Sequence, residues 1–460
     1  MSLPLEIAIA ATGARLHDAA AAPERVRATT DTRTLEAGDT FVALHGERFD
    51  GHDFVAEAAR RGAAMLVVDR PDRAVAGVAT AIVADTKAAY MALAGAARAL
   101  FRGRVVAITG SAGKTTTKEL LAALLVAKYG ERVAATPENE NNEIGVSKLL
   151  LAAANESNDV VIAELGARRF GDIAALVEIV RPQLGILTNV GEAHLEIMGS
   201  RRRLEETKWS LFALGARAIL NARDEVSRRR AGSLAHPPVW FAGDLNAIEH
   251  PSGLEPLIAF DGATRLVRRD RGATIEYEVD VRLPGLHNRA NLAAAVAGAL
   301  ELGVAVDEIV RRIPCARLPH GRYDRIALAG GVALIYDAYN ANASGTIAAL
   351  DAFAAETAGR RIAVLAGMAE LGEESAALHE RVGEHAAGSV DLLLLVQGEH
   401  AGDLASGAER GGLGTERIVR IETNADAARW LREHARPDDV VLLKGSRKYK
   451  LEEIVEELRS

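Results

Sequence analysis

Short apolar runs alternate with helix-period segments along most of the chain. Residues 105–108, 160–163, 185–187, 362–365, 392–396 and 440–443 are apolar runs, most of them ended at once by a polar residue, and each predicts a buried strand. Residues 114–129 place Leu120, Leu121, Leu124 and Leu125 on one face and meet Gly130, a helix stop. Such alternation predicts α/β architecture with mostly parallel sheets. The first hundred residues hold strand candidates at 40–44 and 64–68 with a helix over 54–61, a smaller α/β unit. Residues 274–282 alternate with period two and predict a half-buried antiparallel strand, followed by a helix over 288–302. A linker is expected near Pro314 and Pro319, and no repeat of fixed period is present. The expected domains are 1–100, 101–314 and 315–460, the last a Rossmann-like α/β unit.

Composition narrows the class. A chain of 460 residues exceeds one ordinary core. Its apolar runs are too short to span a bilayer, and residues 1–22 lack the basic start of a signal peptide. The single Cys315 suits a reducing compartment, so a cytoplasmic location is expected. A net charge of −8 argues against broad nucleic-acid contact.

Candidate chemistry starts at Thr109–Lys118, Thr-Gly-Ser-Ala-Gly-Lys-Thr-Thr-Thr-Lys, between a strand and a helix pattern. This predicts a phosphate-binding loop, and makes the central domain P-loop ATPase-like. Gly110 and Gly113 permit the tight turn, and backbone N–H groups of Ser111, Ala112 and the helix start, through Thr116, would face an anion. Lys114 would reach the outer phosphates and Thr115 would ligate magnesium. Only two residues separate the glycines, a shortened form of the loop.

Glu164 closes the next strand, where a carboxylate can meet the magnesium of a nucleotide. His194, just beyond another strand end, is a candidate ligand or phosphate contact. Lys208, taken alone, reads as a solvated helix lysine. Asn139, Asn141 and Asn142 suit either a polar ligand or a set of turns. Asn288 and Asn291 could hold a base or ribose, with helix capping by Asn288 the alternative. Asp337 is a candidate nucleotide or metal contact, against simple turn formation. Lys444 and Arg447 could hold an anionic group or form surface salt bridges.

Taken together these motifs resemble the Mur ligases, the ATP-dependent amide-forming enzymes of peptidoglycan synthesis. The resemblance spans nearly the whole chain: Asp31-Thr-Arg33, Asp50-Gly-His52, the short phosphate loop, the asparagine loop, Glu164-Leu-Gly166, Gly191-Glu-Ala-His194, residues 285–291, Asp337–Asn342, Ala369–Gly372 and Lys444–Arg447. The run Tyr339-Asn-Ala-Asn342 points to the branch that adds D-alanyl-D-alanine to a UDP-muramoyl-tripeptide. The resemblance implies an acyl-phosphate mechanism using ATP and Mg2+. It implies a UDP-binding N-terminal domain carrying Thr32 and Arg33, a central ATP domain, and an amine-binding C-terminal domain. Lys114, His194 and Lys208 are the implied catalytic residues. Thr115, Glu164, His194 and a carbamylated Lys208 are the implied metal ligands. Asn288, Asn291, Arg322 and Asp337 would contact ATP. Asn139, Asn142, Tyr339, Asn340, Asn342, Lys444, Ser446 and Arg447 would contact the UDP-muramoyl-peptide or the dipeptide amine. A monomer is expected.

The chain departs from the family pattern at several positions. Glu138 and Glu140 replace a glycine and an aromatic, and add two negative charges beside the ATP and peptide route. Ala343 replaces a proline, and Gly345-Thr346 replaces Ser-Met. Ala366-Gly367 stands for Gly-Asp and Lys448-Tyr449 for Ser-Met. Most of these lie in the amine-binding domain. A ligase for another amine, or a nucleotide-binding protein without ligase activity, are the alternative readings.

Overall fold

The computed structural model describes residues 2–46, 49–192 and 195–459. Its strands form a five-stranded, a nine-stranded and a six-stranded sheet in chain order, plus a two-stranded pair near the N-terminus.

In the first unit the strands Thr40–Val42, Met65–Val68 and Ala79–Ile82 pair in parallel, and the segment Val55–Arg60 is helical. The helix Thr86–Leu100 then carries the chain into the second unit. Asp85 caps it by accepting from the Ala88 N–H at 2.7 Å. Arg98, buried on its inner face, donates to the Val180 and Arg181 carbonyls at 2.7 and 2.8 Å, tying the first two units together.

The central sheet places the strand Arg104–Thr109 between Val160–Glu164 and Leu184–Leu187, all parallel. Glu164 pairs in register with Ile108, and Leu187 with Thr109. The phosphate loop, Glu164 and Thr188 therefore leave the sheet side by side at its carboxyl edge, where open α/β sheets bind ligands. The helix Lys114–Tyr129 presents Leu120, Leu121, Leu124 and Leu125 to the sheet and to the Ala-rich helix Leu286–Glu301. Small residues set that approach: a Cβ on Gly298 would lie 3.2 Å from both Ile186 and Leu121 side chains.

Two expectations change here. The period-two segment forms the strand Ala273–Glu278, antiparallel to Arg265–Asp270, but it is largely exposed rather than half-buried. It is the last strand of its sheet, and Ile275 is 48% exposed. The helix expected from 288 begins at Leu286 with Gly285 as its cap, so Asn288 lies inside it and does not cap it.

The third sheet has Ala333–Tyr336, Val440–Lys444, Arg361–Leu365 and Leu392–Val396 as parallel neighbours, as the apolar runs predict. Tyr336 and Lys444 end adjacent strands, and Asp337 follows at once.

Candidate active site

Residues 110–113 turn between strand and helix with Gly110 at φ +151° and Gly113 at φ +83°. A side chain at either would collide, at Gly110 with the Thr188 hydroxyl and at Gly113 with the Asn291 amide. The loop is braced from the neighbouring strand end. Asn189 Oδ1 accepts from the Ala112 N–H at 3.1 Å, Asn189 Nδ2 donates to the Ala112 carbonyl at 3.0 Å, and Thr188 Oγ1 donates to the same carbonyl at 2.6 Å. Ser111 Oγ accepts from the Gly191 N–H at 2.9 Å. Lys114 folds back onto the loop, donating to the Gly110 carbonyl at 2.8 Å. Its pKa is lowered, first by desolvation and further by Arg322, against the pull of Glu164.

Thr115 Oγ1 donates to Glu164 Oε1 at 3.2 Å, and Asn141 Nδ2 donates to the same oxygen at 2.8 Å. Glu164 is 1% exposed, and its second oxygen, Oε2, is buried without a hydrogen-bond partner. A carboxylate oxygen that accepts no hydrogen bond, with a threonine hydroxyl on the same carboxylate, is a donor set for a hard cation. Magnesium is held this way, with few protein ligands and the remaining positions left to phosphate and water. Among the described residues no cluster of three His, Cys, Asp or Glu side chains could hold a metal without such help. His194 lies outside the described residues.

Lys208 is 1% exposed, not the solvated helix lysine that its sequence surroundings suggest. The helix Arg201–Trp209 turns this face inward with Leu204 and Thr207. Burial, then the charge of Lys114, drive the Lys208 pKa well below the ordinary lysine value, against Asp172 and Glu164.

Lys118, which closes the phosphate-loop motif, carries no assigned role in the sequence reading. It is fully buried and donates to the Thr136 and Glu138 carbonyls at 2.6 and 3.1 Å, with Glu119 Oε1 at 3.0 Å and Glu164 Oε2 at 3.9 Å. One ammonium thus fastens the asparagine loop to the phosphate-loop helix. A lysine among three threonines and a glutamate in a helix gave no signal of burial.

All three units wall a cleft of about 1160 Å³. Of the predicted residues, Ser111, Ala112, Gly113, Lys114, Thr115, Asn139, Asn142, Glu164, Arg322, Tyr339, Asn340, Asn342 and Lys444 line it. Gly110, Thr116, Asn288 and Asn291 are buried and do not line it. Asn288 Nδ2 donates to the Pro284 carbonyl at 3.0 Å, and Asn291 Oδ1 accepts from Thr117 Oγ1 at 3.4 Å beneath Gly113. Asn142 and Asn342 also cap the helices Glu143–Ala153 and Ala343–Ala354. Thr32 is buried and Arg33 is paired with Asp31 at 2.6 Å, while Ala28–Asp31 and Thr34 reach the cleft. Arg33 holds the Asp31 carboxyl at about 2. In the third unit Lys444 pairs with Asp337 at 2.8 Å, and Asp337 Oδ1 accepts from the Tyr323 N–H. The Tyr339 ring has the Arg322 guanidinium 4.4 Å and the Arg447 guanidinium 5.4 Å from its centre. Ser446 is buried, with its hydroxyl unpartnered.

Three of the departing residues are explained by their neighbours. Glu140 lines the cleft, but Lys148 neutralises it at 2.9 Å, so its charge is not loose beside the peptide route. Gly367 and Tyr449 compensate each other: a Cβ on Gly367 or on Gly398 would run into the Tyr449 ring. The large residue fills the space left by the small ones.

Residues 28–109, 108–299 and 321–447 match, in turn, the family models for the Mur ligase family catalytic domain, the Mur ligase middle domain and the Mur ligase glutamate ligase domain. The Escherichia coli UDP-N-acetylmuramoyl-tripeptide--D-alanyl-D-alanine ligase is 36% identical over 437 residues, covering 94% of this chain and 93% of its own. The chain belongs to the Mur ligase family. Two solved members superpose over nearly the whole chain. The UDP-N-acetylmuramoylalanyl-D-glutamyl-2,6-diaminopimelate--D-alanyl-D-alanyl ligase of Acinetobacter baumannii superposes with a TM-score of 0.81 at 28% identity, covering 100% of this chain and 98% of that one. The MurF ligase of Thermotoga maritima, solved with ADP, gives 0.79 at 27% identity over 94% and 97% of the two chains. Among the described residues of this Mur ligase, no helix is long and apolar enough to cross a membrane.

Proposed function

We propose that this Mur ligase joins D-alanyl-D-alanine to UDP-N-acetylmuramoyl-tripeptide at the expense of ATP, as the cytoplasmic, monomeric enzyme of that step. The observation that carries the proposal is the single cleft shared by three units, with Lys114, Thr115 and Glu164 on the central wall and Arg322, Tyr339 and Lys444 on the third. In this reading residues 1–100 hold the UDP part, 101–314 the ATP, and 315–460 the amine.

The chemistry follows from what each reactant lacks. A carboxylate resists attack by an amine because its carbon is electron-rich and it has no leaving group. One carboxylate oxygen of the tripeptide therefore attacks the terminal phosphorus of ATP, releasing ADP and forming an acyl phosphate. The amine then attacks the acyl carbon, loses a proton, and expels phosphate that carries the carboxylate oxygen with it. Both steps gain from positioning and from neutralising phosphate charge. Lys114 and Arg322 supply that positive charge from opposite walls, and the backbone N–H groups of Ser111 to Thr116 cradle the phosphates. Asp337, Asn288 and Asn291 support the nucleotide side, the last by packing under the loop. Thr32, Arg33, Asn139 and Asn142 belong to the UDP-muramoyl-peptide side. Tyr339, Asn340, Asn342, Lys444, Ser446 and Arg447 belong to the amine side.

Thr115 and Glu164 would hold magnesium, which would neutralise phosphate charge and orient the transferring group. The surroundings of Lys208 lower its pKa well below the ordinary lysine value, so it gives up its proton more readily than a solvated lysine, and the neutral amine is the form that adds to carbon dioxide, giving a carbamate and a proton. The carbamate would serve, with His194, as an anionic metal ligand.

Phosphate release measured with ATP, UDP-muramoyl-tripeptide and a panel of amines tests the assignment. Release specific to D-alanyl-D-alanine is expected, and release with a different amine alone overturns it.

A further inference from the structure

The cleft holds more positive charge than the nucleotide accounts for. Along the wall nearest the first unit, Lys87 pairs with Glu143 at 3.1 Å and Lys148 with Glu140 at 2.9 Å, so those cations are already matched. Lys114 and Arg322 stand at the phosphate loop. Arg27 is paired with Asp39 and Glu36, and Lys444 with Asp337, which leaves Arg168 and Arg169, both exposed and both lining the cleft. No ion pair joins either guanidinium to a carboxylate among the described residues. Each has five donors in a planar fork suited to a carboxylate.

Their segment is built rather than loose. At one end the Gly166 N–H donates to the Asn141 carbonyl at 2.8 Å, and a side chain on Gly166 would collide with the Asn141 amide. At the other, the Phe170 ring lies under the Arg203 guanidinium, 4.8 Å from its centre. Between them Asp172 Oδ2 accepts both the Arg168 and Arg169 N–H groups, at 2.8 and 2.7 Å. That carboxylate is spent on backbone, so it fixes the turn without pairing the side chains. The charge of Arg169 reaches Glu143 and helps lower its pKa, but that carboxylate is bonded by Lys87 at 3.1 Å.

Two guanidiniums without an ion pair, on a turn pinned by Asp172, thus line the same cleft as Lys114 and the phosphate loop. We propose that Arg168 and Arg169 read a spectator carboxylate of the peptide stem, one that is bound but not phosphorylated. This deepens the assignment of a UDP-muramoyl-tripeptide substrate and rests on it. Such a carboxylate has two sources: the D-glutamyl residue, common to all such stems, or the side chain of a third residue such as diaminopimelate. A lysine in third place lacks the second.

The test is calorimetric binding of UDP-muramoyl-tripeptide, without amine, to the full chain and to an Arg168→Gln/Arg169→Gln variant. Stems ending in meso-diaminopimelate and in lysine are compared, and ADP affinity reports whether the variant is folded. The variant is expected to bind the diaminopimelate stem roughly tenfold to a hundredfold more weakly, the scale of a charge-assisted pair, with ADP affinity unchanged. Loss confined to that stem places the carboxylate on the third residue, and equal loss with both stems places it on the D-glutamyl residue. An Arg168→Lys/Arg169→Lys variant should recover only part of the affinity, because it keeps the charge but not the fork. Unchanged affinity for both stems in the Gln variant overturns the inference alone. Failure of the unmodified chain to bind either stem overturns the substrate assignment and this inference with it.

Discussion

The Thr115 hydroxyl and the Glu164 carboxylate meet across 3.2 Å, although 49 residues separate them. The parallel register that sets Glu164 beside Ile108 brings them together, and Glu164 is left with one buried oxygen that accepts no hydrogen bond and has only the Lys118 ammonium near it, at 3.9 Å. Replacing that oxygen by an amide should remove the cation's main protein ligand. Glu164→Gln is expected to lower turnover by about a hundredfold or more at saturating ATP. Magnesium should then stop raising the melting temperature of the ADP complex. Wild-type turnover in that variant would remove Glu164 from the metal site.

Lys208 gives a prediction about carbon dioxide. Because its pKa lies well below the ordinary lysine value, the neutral amine persists at pH values where a solvated lysine is fully protonated. Activity should fall when the enzyme is dialysed against carbon-dioxide-free buffer and return with bicarbonate. Lys208→Ala should be inactive under both conditions. Short carboxylic acids that occupy the vacated space are expected to restore part of that variant's rate.

Lys118 should matter for stability as well as rate. Lys118→Met leaves the Thr136 and Glu138 carbonyls without their donor and removes the cation beside Glu164. Breaking a buried charge network in this way costs about 3–5 kcal/mol. Denaturant unfolding of the variant should show a loss of that size, while Lys148→Met at the exposed pair should cost under about 1 kcal/mol.

Acid should weaken the fold through His287. Burial, the largest cause, lowers its pKa from 6.5 to about 4, against the pull of Asp337. The unfolded chain then binds a proton that the folded chain refuses, so stability present above pH 6.5 is lost as pH falls toward 4. The loss is about 3 kcal/mol. His287→Asn should show a shallower decline of melting temperature over that range.

The sequence carried the architecture well where periodicity and sheet position agree. The helix Lys114–Tyr129 has the limits its apolar face and Gly130 imply, and the strands ending at Glu164 and Lys444 follow their apolar runs. The edge strand Ala273–Glu278 misled because alternation records side-chain polarity and not whether a second layer covers the sheet. Lys208 and Lys118 were illegible for a related reason. Their burial depends on elements distant in sequence, and a lysine looks alike on either face of a helix. The motif residues were legible as a set, but their division of labour was not. Asn291 supports the phosphate loop from below, and Asn142 and Asn342 cap helices while facing the cleft.

The central claim is transfer through an acyl phosphate, and oxygen-18 placed in the reacting carboxylate of UDP-muramoyl-tripeptide follows it directly. With ATP and D-alanyl-D-alanine, mass spectrometry of the released phosphate should find one labelled oxygen per phosphate formed, matched by ADP. Unlabelled phosphate, or label appearing in AMP, would contradict the account.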